Sequence, residues 1–308
     1  MKIGIVGTGA VGGFFGGKLS LAGFEVVFLS RGKTLDALKT KGLILETKEK
    51  IFIIKSAIFT DDSSQLKGCD YILFTVKSYD TESVINQIKN YITDETLVIT
   101  QQNGINNDLI LAEVLGKENV IPALTKGGYS SPSPGHFRNV GFAAIEVGEY
   151  NGKISVRLKD FATFFKSTGI NVTISGQIQT ERWKKYIVNC TFNIISAITK
   201  LRIDQILNNS EIRNLCIRTM KELIIISKKE GIILNEKETI NGSIMLAKKL
   251  GPFKTSTLQD IEKGKPIELE AFTGYVLELA QKHRLKIPIN ETLYALLYGI
   301  TKTKLNLK

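Results

Sequence analysis

Lys2-Ile-Gly-Ile-Val-Gly7-Thr-Gly-Ala-Val-Gly12-Gly-Phe-Phe-Gly-Gly-Lys-Leu-Ser-Leu21 decides the reading of this chain. Its apolar start, Lys2 to Val6, reads as a short buried strand, and Phe14, Phe15, Leu19 and Ala22 then recur at helical spacing. Between them Gly7, Gly9 and Gly12 keep the G-x-G-x-x-G interval, with Thr8, Ala10 and Val11 filling it. In that pattern the first glycine permits the tight turn, the second admits a pyrophosphate to the backbone, and the third lets helix pack on strand. The amides at the helix start then face the phosphates. Gly23 ends the helix and Glu25-Val-Val-Phe-Leu29 is strand again, which completes a βαβ half. A cleaved secretory leader is the competing reading. Glycines dominate the run, Lys18 interrupts it and no small-x-small cleavage site follows, so a cytoplasmic chain is expected.

The end of the second strand bears on which dinucleotide fits. A ribose 2′-hydroxyl is usually held by Asp or Glu about 20 residues beyond the glycines, and a 2′-phosphate by Arg or Lys. Here the strand runs into Ser30-Arg31-Gly32-Lys33 without a carboxylate. Arg31 offers a two-pronged contact, with Ser30 and Lys33 beside it, so NADP (NADPH) is expected over NAD. The plainer alternative is that Arg31 is a solvated loop cation.

Composition narrows the remaining classes. With 308 residues, 43% of them hydrophobic, the chain has room for two domains and no apolar run of membrane-spanning length. Cys69, Cys190 and Cys216 are widely spaced and His136 and His283 lie far apart, so neither a disulfide framework nor a metal site is expected. The net charge of +11 comes from dispersed lysines without basic-aromatic interleaving or a finger pattern, which argues against nucleic acid. It would still favour anionic ligands.

Strand and helix patterns alternate up to about residue 177. A helical stretch at Thr34 to Lys41 leads to short strands around Gly42 to Leu45 and Ile51 to Ile54. Tyr71-Ile-Leu-Phe-Thr-Val76 and Leu97-Val-Ile-Thr-Gln101 read as strands buried on both faces, followed by Lys77 and Asn103-Gly104 at the strand ends where open α/β sheets bind ligands. Helices are expected at Tyr79 to Tyr91, Ile105 to Leu115 and about Gly152 to Lys166. Strands are expected at Val120 to Leu124 and Gly141 to Val147, with an irregular hairpin region between them from Gly127 to Gly135. Beyond Gln177 only helical periodicities remain, at Thr180 to Thr199, Glu211 to Glu230, Glu236 to Leu250, Ile267 to Arg284 and Asn290 to Lys302. The expected organisation is an N-terminal α/β Rossmann-type dinucleotide-binding domain, residues 1–177, and an all-α C-terminal domain, residues 178–308.

Two places in the helical part carry polar residues worth following. Lys185, Asn189 and Asn193 recur at i, i+4 and i+8, which puts an amine and two amides on one helix face; a hydrated face is the alternative. Near the end, Thr255-Ser-Thr-Leu-Gln-Asp260 precedes Glu268, which stands where a helix begins and could be only a favourable dipole partner.

Taken together, the glycine turn, Val76-Lys77, Asn103-Gly104, Trp183-Lys-Lys-Tyr-Ile-Val-Asn-Cys-Thr-Phe-Asn193 and Ser256-Thr-Leu-Gln-Asp260 with Glu268, Gly274 and Pro288-Ile-Asn290 resemble the ketopantoate reductase (2-dehydropantoate 2-reductase) family over essentially the whole length. The resemblance implies a 6-phosphogluconate dehydrogenase-like fold and NADPH-dependent reduction of a small 2-oxo acid in pantothenate and coenzyme A biosynthesis. It implies Lys185 as proton donor, Asn189, Asn193 and Ser256 as substrate holders, and Lys77, Asn103 and Glu268 in the cofactor and active-site region, with Asn103 also reaching substrate. Departures lie at Ile194, where proline often stands, at Phe253-Lys254 and at Leu124-Thr-Lys-Gly-Gly128, all nearer the substrate than the chemistry. A reductase of another 2-oxo acid is the first alternative. A non-catalytic NADP-sensing module is the second, disfavoured because a sensor has no need of Lys185 and its aligned amides. No membrane partner is expected, and a homodimer is left open.

Overall fold

The computed structural model describes residues 1–139 and 141–306. The chain divides into two compact units, Met1–Ile178 and Gln179–Lys308.

The first unit is built on strands β1 (Lys2–Val6), β2 (Glu25–Leu29), β3 (Leu43–Glu46), β4 (Ile51–Ile54), β5 (Ile58–Thr60), β6 (Tyr71–Phe74), β7 (Leu97–Thr100), β8 (Val120–Gly127), β9 (Ser130–Ser133), β10 (His136–Arg138), β11 (Ala143–Val147) and β12 (Asn171–Ile174). Its helices are α1 (Ala10–Leu21), α2 (Gly32–Lys41), α3 (Thr81–Ile88), α4 (Asn107–Leu115) and α5 (Val156–Ser167). Eight strands form one sheet in the order β12-β11-β8-β7-β6-β1-β2-β5, all parallel neighbours except the antiparallel β8–β11 pair. The order reverses at β1, the point at which doubly wound sheets open a crevice for a ligand.

Continuous apolar runs in β1, β6 and β7 are explained by burial on both faces. Ile5, Leu73, Ile99 and Ile121 pack toward α1 and α5 with Phe15, Phe161 and Phe165, while Val6, Phe74 and Val98 pack on the opposite face with Ile85, Ile88 and Leu111. Helix α1 is itself covered by a second sheet of four strands, β4-β3-β10-β9. A Cβ at Gly16 would collide with Phe28 and Ile5, and one at Gly13 with the Phe137 ring, so the glycine-rich helix is thin enough to sit between the two layers. The region expected to be an irregular hairpin is one, β9 and β10 pairing antiparallel with a register shift; what the sequence did not indicate is that β10 also pairs in parallel with the distant β3 and that Phe137 is buried against α1.

The second unit is helical: α6 (Ile178–Val188), α7 (Ile194–Thr199), α8 (Ile203–Asn208), α9 (Ser210–Lys229), α10 (Glu236–Leu250), α11 (Ser256–Glu262), α12 (Tyr275–Lys282) and α13 (Pro288–Asn306). Helices α8 and α11 were not expected; each is too short for an apolar period to declare itself. Two of the expected continuous helices carry a π turn, at Asn189–Asn193 between α6 and α7 and at Glu270–Gly274 ahead of α12. Glu222 of α9 accepts hydrogen bonds from the backbone amides of Ile289 and Asn290, at 3.1 and 3.0 Å, and from Asn290 Nδ2 at 2.7 Å. Pro288 opens α13 without an amide to satisfy, and Glu222 serves the next two. No helix among the described residues is long and apolar enough to cross a membrane.

Candidate active site

The turn after β1 has the form that its glycines require. Gly7 has φ +96°, and a Cβ there would lie 2.6 Å from the Val76 backbone nitrogen. A Cβ on Gly12 would fall 2.3 Å from Thr75 Oγ1 and 2.4 Å from Gly7 O, so the third glycine brings α1 onto the strand ends. Gly9 is the opposite case, with nothing within 4 Å of its added Cβ. The backbone there faces open space, which suits a pyrophosphate seated on the first turn of α1. Thr8 is buried and its hydroxyl donates to Leu29 O at 3.3 Å, tying the turn to the end of β2. Ala10 and Val11 form the first turn of α1.

Arg31 follows β2 and its side chain is 78% exposed. One of its nitrogens, Nη2, donates to Asp80 Oδ2 at 2.7 Å. This corrects the expectation that no carboxylate stands beside the arginine, since Asp80 arrives from beyond β6, 49 residues further along the chain. Lys77 precedes a 3₁₀ turn at Ser78–Asp80, at the C-terminal edge of β6. Asn103 lies at the same edge beyond β7, where Gly104 has φ +93° and Asn103 O accepts from Asn107 Nδ2 at 2.7 Å. Gln102 Nε2 donates to Val76 O at 3.0 Å and to Thr81 Oγ1 at 2.7 Å, which binds the two strand ends together.

In the helical unit, Lys185 sits near the end of α6, one turn after the buried Arg182. Burial brings the Lys185 amine down to about 8, with Glu268 opposing the shift and Arg182 adding to it. Glu268 is only 8% exposed, so a carboxylate and a guanidinium compete over one amine with little water to screen them. Lys184 is turned elsewhere, exposed and paired with Glu181 at 2.8 Å. The expected i, i+4, i+8 line is modified, because Asn189–Asn193 is a π turn, whose wider winding changes the angle between its ends. Asn189 and Asn193 still meet, Asn193 Nδ2 lying 3.4 Å from Asn189 Oδ1, and Asn193 is buried. Cys190, between them, is buried and its thiol is pushed above the ordinary range.

Glu268 lies just before the π turn and its carbonyl accepts from Phe272 N at 3.2 Å, so it enters the helix rather than standing within its first turn. Ser256 is an exposed residue in the first turn of α11, whereas Thr255 is the buried N-cap, accepting from Leu258 N at 3.4 Å. The sequence reading missed Asp80 and Arg182. The first was legible as an acid three residues past Lys77 at a strand end, the second as a cation at i−3 from Lys185. Among the described residues no cluster suited to a metal ion occurs.

A doubly wound unit with a G-x-G-x-x-G turn at its strand ends, followed by a helical unit in which burial lowers the pKa of a lysine amine, is the arrangement of a dinucleotide-dependent oxidoreductase. The chain belongs to the ketopantoate reductase family: the model described as ketopantoate reductase PanE/ApbA matches residues 3–152, and the one for its C terminal matches residues 177–301. The 2-dehydropantoate 2-reductase of Pyrococcus horikoshii is 30% identical over 301 residues, spanning 96% of each chain. The crystal structure of a PanE/ApbA family ketopantoate reductase from Ralstonia eutropha superposes with a TM-score of 0.91 at 29% identity, covering 99% of both chains. The fold extends to D-mandelate dehydrogenase with NADH and anilino(oxo)acetate, at a TM-score of 0.92, 23% identity and 99% coverage of both chains.

Proposed function

We propose that this chain reduces 2-dehydropantoate to pantoate with NADPH. The observation that carries the reading is Lys185: an amine held at about 8 by burial, one turn from Asn189 in a family whose named relatives include 2-dehydropantoate 2-reductases. An ordinary lysine near 10.5 is a poor acid at neutral pH, and one near 8 stays protonated yet yields its proton readily.

The glycine turn of Gly7, Thr8, Gly9, Ala10, Val11 and Gly12 fits a pyrophosphate, and Arg31 is the donor for a ribose 2′-phosphate. When bound, the reduced nicotinamide supplies a hydride to C2 of the oxo acid. Charge then gathers on the carbonyl oxygen. The ammonium of Lys185 stabilises that charge more in the transition state than in the ground state, and its Nζ delivers the proton. Asn189 and Asn193 present amides for the substrate's hydroxyl or carbonyl oxygen, and Ser256 a hydroxyl for its carboxylate. Lys77 and Asn103 complete the cofactor contacts. Glu268 keeps Lys185 from losing its proton too early, because a nearby carboxylate favours the charged form. A substrate without the hydroxyl leaves an amide unpaired, at a cost of about 1–3 kcal/mol, which is the basis for selecting among 2-oxo acids.

Steady-state turnover of NADPH with 2-dehydropantoate and a panel of other 2-oxo acids tests the reading. The expected result is the highest kcat/KM for 2-dehydropantoate, with Lys185→Ala lowering kcat by about two to four orders of magnitude and Lys184→Ala close to neutral. A better substrate elsewhere in the panel overturns the substrate, and an active Lys185→Ala variant overturns the mechanism.

A further inference from the structure

The sheet order β6-β1-β2 puts the ends of β6 and β2 on either side of the glycine turn that follows β1. The outer two strands are about 10 Å apart, two strand spacings. Arg31 stands two residues past the end of β2 and Asp80 six past the end of β6, and their 2.7 Å ion pair closes that gap beside the turn.

Two features show that Asp80 is committed to this contact. It occupies the N-cap position of α3, where an aspartate ordinarily accepts from its own helix, yet its side chain makes no capping bond. Its carboxylate instead reaches Arg31, while remaining 26% exposed. On the arginine only Nη2 is engaged by Asp80, and the guanidinium, with five N–H donors, faces solvent over most of its surface.

We propose that the Arg31–Asp80 pair reads both a 2′-phosphate and a 2′-hydroxyl, so that the chain takes NADH as well as NADPH, with Asp80 setting the ratio. The proposal rests on the dinucleotide reading of the glycine turn but not on the identity of the oxo acid. A 2′-phosphate gains the charged fork of Arg31 and meets repulsion from the Asp80 carboxylate. A 2′-hydroxyl donates to that same carboxylate and accepts from the arginine, the role usually given to an acid at the end of the second strand. Here the acid comes from the strand on the other side of β1. Selectivity is then a difference between one attractive and one repulsive element in each complex.

Equilibrium titration of the full chain with NADPH and with NADH, followed by reduced-nicotinamide fluorescence, tests this in the wild type, Asp80→Asn and Arg31→Ala. The wild type is expected to bind the two cofactors within about tenfold of each other. Asp80→Asn, which keeps the shape and removes the charge, should tighten NADPH by about fivefold and weaken NADH by about as much, moving the ratio by ~25-fold. Arg31→Ala should remove the preference for the phosphate. A wild type that binds NADH more than about a hundredfold less tightly than NADPH overturns the proposal, as does an equal change for both cofactors in Asp80→Asn. Binding of neither refutes it together with the dinucleotide reading. Binding of both without turnover of 2-dehydropantoate refutes the substrate assignment alone and leaves the proposal standing.

Discussion

Replacing Lys185 by methionine is expected to stabilise the helical unit while abolishing turnover, and the size of the gain follows from the titration of the amine. Its fall from 10.5 to about 8 means that the folded state disfavours the ammonium relative to the unfolded chain. Fully counted, a shift of that size is worth about 3 kcal/mol at pH 7. Lys185 is partly exposed, so about half of it, ~1–2 kcal/mol, is the realistic gain. Methionine approximates the neutral lysine in length and leaves Glu268 in the same company as the deprotonated amine would. The sign depends on pH. Below about 8 the wild type bears the whole penalty. Between about 8 and 10.5 the unfolded chain holds a proton that the folded one has lost, so wild-type stability rises with pH. Lys185→Met has no such rise, and its advantage should shrink steadily toward pH 10. Trp183, the chain's only tryptophan, is buried in the same helix, so urea unfolding at pH 6.5 to 9.5 can be followed by its fluorescence. A gap that does not change with pH, or a variant less stable than wild type at pH 7, would refute the account of Lys185 as a half-buried cation that the fold disfavours.

Glu268→Gln removes the influence that holds Lys185 up, so the alkaline limb of kcat/KM should move to lower pH by about one unit, whereas Arg182→Gln should move it to higher pH. Shifts in the same direction for both variants would contradict the electrostatic assignment. Ser256→Ala should raise KM for the oxo acid and leave NADPH binding unchanged, and because Thr255 caps α11, the melting temperature should stay constant. Glu222→Gln should cost about 1–2 kcal/mol of stability, since it weakens charged hydrogen bonds to the first turn of α13, and denaturant unfolding without a change in kcat would check it.

The glycine turn, the alternation of strand and helix up to the end of β12 and the helical character beyond it were legible in the sequence, because each depends on local spacing. A glycine at φ +96° and a four-residue apolar run declare themselves within a few positions. Lys185, Asn189 and Asn193 were legible for the same reason, as residues a helical step apart. What the linear pattern could not convey depends on partners distant in sequence. Strand β10 is a strand because Phe137 is buried against α1, and His136 bonds with Glu46, 90 residues away, at 2.8 Å. Arg31 reads as a lone cation until Asp80 is brought to it. The lowered pKa of Lys185 arises from burial, with Arg182 adding to it and Glu268, contributed by a segment far along the chain, opposing it, and no local count of charges anticipates that balance. The π turn at Asn189 also lies beyond a periodic reading, because an extra residue in one turn is stabilised by packing, as the buried Cys190, Thr191 and Phe192 indicate. Spacing determines which side chains are available, and tertiary burial determines which of them are charged, paired and reactive.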